Sequence, residues 1–179
     1  MLKYLLGTIT EKSAHSITIE VQGIGFTVIV RDLLDYELNK YYKIYTYLIL
    51  GDKETKLIGF KSLDEYNLFS QLIKIKGIGV KSIFEIENSM TPIEFYNLID
   101  SDNSKPLLKI KGIGVKTIDS IFKYFNKNKS YPFINEINSS LKSLGYSSDE
   151  IKQAMKLTIY PDNIQLNEAI RLTLKNITK

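Results

Sequence analysis

The residues best placed to do chemistry are two short runs, Lys76-Gly77-Ile78-Gly79-Val80-Lys81 and Lys111-Gly112-Ile113-Gly114-Val115-Lys116. They are the centres of a longer repeat. Leu72 to Ile83 and Leu107 to Ile118 share ten of twelve positions at an offset of 35, and the two exceptions, Ile73/Leu108 and Ser82/Thr117, are conservative. The chemistry on offer is anion binding. A Gly-x-Gly turn between an apolar helix end and the start of a new helix exposes backbone N–H groups, and the helix dipole adds positive potential at the same place. The amides of Gly79, Val80 and Lys81, and of Gly114, Val115 and Lys116, are therefore expected to face phosphates. Lys81 and Lys116 add a mobile charge, while Ile78 and Ile113 are expected to plug each turn into a core.

Nucleotide-binding loops are a poor match. A dinucleotide fingerprint needs a third glycine, where Ser82 and Thr117 stand, and a strand in front of it, where the pattern is helical. A phosphate-binding loop of ATPases needs Gly directly before the Lys-Ser pair, and Val80 or Val115 occupies that place. One Gly-x-Gly stop is as readily a plain turn as a binding site, but a turn alone does not require its flanking lysines to repeat. The chain has no Cys, which removes disulfides, thiolate metal sites and thiol nucleophiles, and its one His15 leaves little for imidazole chemistry. Neither a cofactor nor a metal is expected.

At 179 residues, 44% apolar and 25% charged, the chain has the composition of a globular protein with room for two or three small cores. No apolar stretch reaches the length of a membrane span, and the opening Met1 to Gly7 reads as a first strand, so a cytoplasmic location without membrane contact is expected. The net charge of +4 is unevenly spread. From Asn103 to Tyr131 there are seven lysines (105, 109, 111, 116, 123, 127 and 129) against Asp119 alone, a local +6 that leaves −2 for the remainder. Local basic charge is a better nucleic-acid signal than the overall balance, although a solvated lysine face would look the same.

Three groups of elements must position these residues. Residues 1–61 read as five short strands: Ser16 to Val21 alternates strictly, Phe26, Val28 and Val30 share a face after Gly23-Ile24-Gly25, and Lys43 to Leu50 returns through Gly51-Asp52-Lys53-Glu54 as Lys56 to Phe60. With an irregular stretch from Asp32 to Asn39, they suit a small closed barrel. At Ser62 the period becomes helical. Ser62 and Glu65 form a capping box, Tyr66, Phe69, Leu72 and Ile73 recur on one face, and Thr91-Pro92-Ile93-Glu94 starts another helix. Residues 62–126 are thus helical around the two turns, and the polar 127–131 reads as a linker. Residues 132–179 read as three helices. Phe133, Ile137, Leu141 and Leu144 line the first, with Gly145 as its C-terminal cap. Ser147 to Glu150 caps the second, Tyr160-Pro161-Asp162 is a break, and Leu166, Ile170 and Leu174 form the stripe of the third.

Both repeats match the helix-hairpin-helix motif, and the whole chain resembles the RuvA family, Holliday-junction-binding subunits of a branch-migration machine. The resemblance rests on Leu5-Leu6-Gly7, Gly23-Ile24-Gly25-Phe26, Leu57-Ile58-Gly59-Phe60, both hairpins and Leu144-Gly145-Tyr146, in that order. It implies a multidomain α and β protein: an N-terminal OB-fold β-barrel (1–61), a central tandem helix-hairpin-helix domain (62–126), a linker (127–131) and a C-terminal three-helix bundle (132–179). It also implies a homotetramer, with one or two tetramers per four-way junction, a RuvB ATPase that supplies the catalysis this chain lacks, and a cooperating junction resolvase.

By the same resemblance, phosphate contacts fall on Gly77, Gly79, Val80 and Lys81 and on Gly112, Gly114, Val115 and Lys116. Such contacts are blind to base sequence. The family's acidic pin, two adjacent carboxylates on a barrel hairpin, falls on Asp52 and Lys53, so one acid has become lysine and Glu54 follows as the second carboxylate. The RuvB-binding positions fall on Leu141, Leu144, Tyr146 and Ile170, behind a linker shorter than is usual in the family. Two other readings stand beside this one. A helix-hairpin-helix glycosylase or lyase would need a catalytic Asp in a helical domain after the hairpin, whereas Asp119 lies within the helix that follows the second turn. A general nucleic-acid scaffold would hold duplex and junction equally.

Overall fold

The computed structural model describes residues 2–51, 54–127, 132–158 and 164–177. Its chain divides into two compact units, 1–71 and 72–179.

In the first unit the alternating apolar positions become five strands: β1 (Tyr4–Lys12), β2 (Ser16–Val21), β3 (Ile24–Val30), β4 (Tyr41–Leu50) and β5 (Thr55–Phe60). They close into a barrel in the order β1-β2-β3-β5-β4, with every pairing antiparallel except β3 with β5. This is an OB-like barrel, and closure removes the exposed edges that an open five-stranded sheet would leave. Inward positions of period two fill it: Leu5, Ile9, Ile17, Ile19, Val28, Val30 and Ile44 are buried. The β2–β3 connection is a tight turn in which Gln22 and Gly23 both have positive φ, 50° and 81°, the geometry that matches strand twist. The irregular stretch after β3 supplies a plug that periodicity does not reveal, since Tyr36 is buried with the barrel core and meets Tyr42 edge-on at 5.4 Å.

Helix α1 (Leu63–Leu72) starts with the expected capping box: Ser62 Oγ accepts from the Glu65 amide, and Glu65 Oε2 accepts from the Ser62 amide. Its Phe69 ring lies 4.8 Å from Phe60 and 5.4 Å from Tyr47, so an aromatic cluster joins the helix to β4 and β5. Arg31 pairs with Glu65 at 3.1 Å beside it. The compact unit therefore ends within α1 and not at Ser62, where the period of the sequence changes.

The second unit continues with α2 (Val80–Ser89), α3 (Pro92–Asp100), a single 3-10 turn (Leu107–Lys109) and α4 (Val115–Lys127). Phe95 and Phe125 are fully buried and meet edge-on at 5.2 Å, which fixes α3 against α4. Helix α4 runs through Lys127, so the first residue of the expected linker is helical; residues 128–131 lie outside the described residues.

Three further helices follow, α5 (Pro132–Ser143), α6 (Ser148–Leu157) and α7 (Leu166–Lys175), and α5 and α6 each pack against α7 and against one another. Gly145 takes φ +92° behind α5 while the Tyr146 amide donates to Leu141 O at 3.2 Å, the expected left-handed cap. Two side-chain expectations change. Leu144 lies past the end of α5 and is 63% exposed, so it does not line that helix. In α7 the buried positions are Ala169 and Thr173, with Leu166, Ile170 and Leu174 half-buried around them; small side chains let a neighbouring helix approach, and the Thr173 hydroxyl donates to Ala169 O at 2.8 Å. The expected break at Tyr160 to Asp162 lies outside the described residues. Among the described residues no helix is long and apolar enough to cross a membrane.

Candidate nucleic-acid interface

The two sequence repeats close their turns with equivalent backbone hydrogen bonds. In the first, the Ile75 amide donates to Leu72 O at 3.0 Å, that of Ile78 to Ile75 O at 3.1 Å, and that of Ile83 to Gly79 O at 3.1 Å. In the second, the corresponding bonds from Ile110, Ile113 and Ile118 measure 3.2, 3.2 and 3.0 Å. Ile75, Ile78, Ile110 and Ile113 are buried, so two isoleucines three residues apart anchor each turn while the lysine between them, Lys76 or Lys111, stays exposed. One expectation changes here. The arm entering the second turn is the 3-10 turn Leu107–Lys109 and not the end of an α-helix, because Pro106 precedes it and α3 has already stopped at Asp100.

The two glycines of each turn have separate jobs. Gly77 and Gly112 sit at φ +90° and +83°, where a side chain is strained. Gly79, the N-cap of α2, is extended at φ −114°, and a Cβ added to Gly79 or Gly114 would meet nothing within 4 Å. Nothing inside the protein requires glycine at those two places. What a missing Cβ provides there is room for an outside group to reach the backbone.

Capping patterns point the same way. Helices α1, α3 and α6 each begin with a capping box, Ser62/Glu65, Thr91/Glu94 and Ser147/Glu150, that satisfies their first amides internally. Helix α2 has only Gly79 as N-cap and gains no side-chain bond from it. Neither α2 nor α4 has an acid in its first turn. Each carries a lysine there instead, Lys81 and Lys116, against the preference of the helix dipole. A glycine before the helix, a positive helix end and an added cation are the ingredients of a candidate anion site at both turns. Val80 is half-buried and Val115 is 63% exposed at these helix starts.

Among the described residues no cluster of His, Asp and Glu is arranged to hold a metal ion. Lys74, Lys76, Lys81, Lys105, Lys109, Lys111, Lys116 and Lys123 stand away from the ion pairs formed among the described residues, and the lysines flanking both turns are open to solvent. At the tip of the β4–β5 hairpin, Asp52 and Lys53 lie outside the described residues. Glu54 is described, and its carboxylate pairs with Lys56 at 2.6 Å. Of the four residues expected to contact RuvB, Leu141 is fully buried among the C-terminal helices and so presents no surface to a partner; Leu144 is exposed, and Tyr146 and Ile170 are half-buried. Periodicity marks Leu141 as apolar but cannot say which apolar positions a three-helix group consumes internally.

Residues 1–59 match the family model described as the RuvA N terminal domain. Over its full length the chain is 32% identical to a Holliday junction branch migration complex subunit RuvA of Syntrophomonas wolfei, covering 96% of that protein. It is 31% identical to the protein of the same name from Neisseria meningitidis serogroup C, covering all of both chains, and 32% identical to that of Helicobacter pylori strain 26695, covering 99% of each. Similarity that runs from the first strand of the barrel through the last helix places this chain in the RuvA family.

Proposed function

We propose that this protein is a non-catalytic, structure-specific subunit that binds four-way DNA junctions without regard to base sequence and supports their branch migration in recombination and repair. The observation that carries the reading is the pair of helix starts behind Gly79 and Gly114, each with room at the glycine and a lysine in the first turn, where α1, α3 and α6 have capping boxes. Backbone amides and lysines recognise phosphate, which every sequence shares. Selectivity for a junction then has to come from how several such sites are spaced. We assign 62–126 to a tandem helix-hairpin-helix domain, and the OB-like barrel to the homotetramer contact that would array four pairs of hairpins around one junction.

In this reading the C-terminal helices recruit the ATPase motor, RuvB, through Leu144, Tyr146 and Ile170, with Leu141 holding the fold beneath them. The curated relatives that match the whole chain are named as complex subunits, which favours this division of labour over a glycosylase. The protein would act in the cytoplasm, where its DNA substrate is. A gel shift with a synthetic four-way junction and a matched linear duplex, at several salt concentrations, tests the assignment. Tighter binding of the junction at every salt, with log K falling linearly in log salt, is the expected result. Equal affinity for both would indicate a general scaffold, and base excision from damaged duplex would indicate a glycosylase.

A further inference from the structure

The two turns are alike in backbone, but their surroundings are not. Pairing residues at the offset of 35, Lys74, Lys76 and Lys81 answer to Lys109, Lys111 and Lys116; beyond them the copies diverge. Ser70 answers to Lys105, Glu85 to Ser120, Glu87 to Phe122, and Asn88 to Lys123, while Phe84 answers to Asp119. Residues 70–90 thus hold three lysines and two acids, and residues 105–125 hold five lysines and one acid, formal charges of +1 and +4.

The extra lysines are available. Lys105 and Lys123 are exposed, and neither joins an ion pair among the described residues. Lys105 lines one cleft together with Lys109 of the second repeat. Lys116 and Lys123 stand seven residues apart in α4, on one face and about 10 Å apart along its axis. That spacing is close to the reach of unscreened charge at physiological salt, about 8 Å. The second turn also stands further out: Leu108 and Val115 are 51% and 63% exposed, whereas their counterparts Ile73 and Val80 are half-buried.

We infer that the second turn is the dominant electrostatic grip on duplex DNA, and that Lys105 and Lys123, outside the repeated motif, are additional phosphate-binding residues. The first turn then contributes mainly geometry, and releases its phosphates first as salt rises. The inference rests on the junction-binding reading above. It gives one protein two grips of equal shape and unequal strength, suited to DNA that must be held and also slide.

The test compares full-length wild type, the double variant Lys105→Ala/Lys123→Ala and the single variant Asn88→Lys in junction binding across a salt series. Each lysine that neutralises a phosphate contributes about 0.9 to the slope of log K against log salt. The double variant is expected to flatten the slope by about 1.8 for every subunit engaged, and Asn88→Lys to steepen it. These are exposed positions, and unchanged melting curves would confirm folded protein. Wild type that binds the junction with a steep slope, matched by an unaltered slope in the double variant, overturns the inference alone; wild type that fails to prefer the junction overturns the reading beneath it.

Discussion

Gly77 and Gly79 lie two residues apart in one turn, yet only Gly77 needs the conformational freedom of glycine. Its φ is +90°, while Gly79 is extended at −114° with open space where a Cβ would stand. The same division separates Gly112, at +83°, from Gly114. Alanine should therefore split stability from binding. Gly77→Ala or Gly112→Ala is expected to cost about 1–2 kcal/mol through left-handed strain. Gly79→Ala and Gly114→Ala should cost well under that and yet weaken junction binding about tenfold or more, since about 1.4 kcal/mol of forfeited phosphate approach is a factor of ten. Paired melting curves and gel shifts would check it, and a Gly79→Ala protein that binds like wild type would count against the phosphate role.

Lys81 and Lys116 occupy first-turn positions where a cation works against the helix dipole. Removing both should reduce the salt slope by about 0.9 for each phosphate that is no longer neutralised. It should also leave the melting temperature unchanged or slightly higher, because an unfavourable charge leaves each helix start, an effect of about 0.3–1 kcal/mol per site at low salt. Weaker binding together with weaker stability would mean that the lysines serve the fold.

Much of this architecture is legible in the sequence because its causes are local. Strict alternation in Ser16 to Val21 is enough to predict a strand with one buried face, and Ile17 and Ile19 are indeed fully buried. Capping boxes at Ser62 and Ser147 need only four residues each to be recognised, and both form; the helix start read at Thr91-Pro92 proves to carry a third. The repeated turn announces itself by duplication. What escapes a linear reading depends on tertiary packing. Tyr36 lies in an aperiodic stretch and becomes part of the barrel core only because the chain folds back across it. The 3-10 form of Leu107–Lys109, where the first copy has the last residue of α1 at Leu72 and then a turn, follows from Pro106 and from where α3 stops. Similarly, whether Leu141 or Leu144 faces solvent depends on which positions the neighbouring helices cover.

Two groups set opposite pH limits. The Ser147 hydroxyl and amide both donate to the Glu150 carboxylate, at 2.6 and 2.8 Å, and hold its pKa below the ordinary 4.5. A depressed pKa means that this cap stabilises α6 fully above about pH 4.5 and is lost as pH falls through the lowered value. Burial, then the nearby Glu65 and Asp35, raise the Tyr36 phenol above its ordinary value of 10.0. A raised pKa leaves its contribution intact below pH 10.0 and lost as the pH climbs above it, because the unfolded chain ionises first. Protection of the α6 amides from exchange, taken relative to their intrinsic rates at each pH, should fall in acid, with Ser147→Ala less sensitive to pH than wild type. Tyr36→Phe should flatten the alkaline fall in barrel stability; an alkaline limb that keeps its slope would place the titrating group elsewhere.

The hairpin tip after β4 is where the sequence departs from the acidic pin that the resemblance implies. Asp52, Lys53, Glu54 and Lys56 sum to no net charge, and the Glu54 carboxylate is already held by Lys56 at 2.6 Å. That pair is exposed enough for solvent to screen it, so its worth to stability is about 0–1 kcal/mol. Its effect on a nearby phosphate is a separate matter: a carboxylate neutralised by an adjacent ammonium presents a dipole, whose repulsion fades faster with distance than that of a bare charge. In the proposed tetramer, four such tips would repel phosphates far less than four pairs of clean acids. Asp52→Asn/Glu54→Gln is accordingly expected to slow motor-driven branch migration only mildly, while Lys53→Glu should accelerate strand separation or raise the tolerance to salt. A severe defect in the first variant, measured against wild type on the same synthetic junction, would show that the altered tip still works as a full pin.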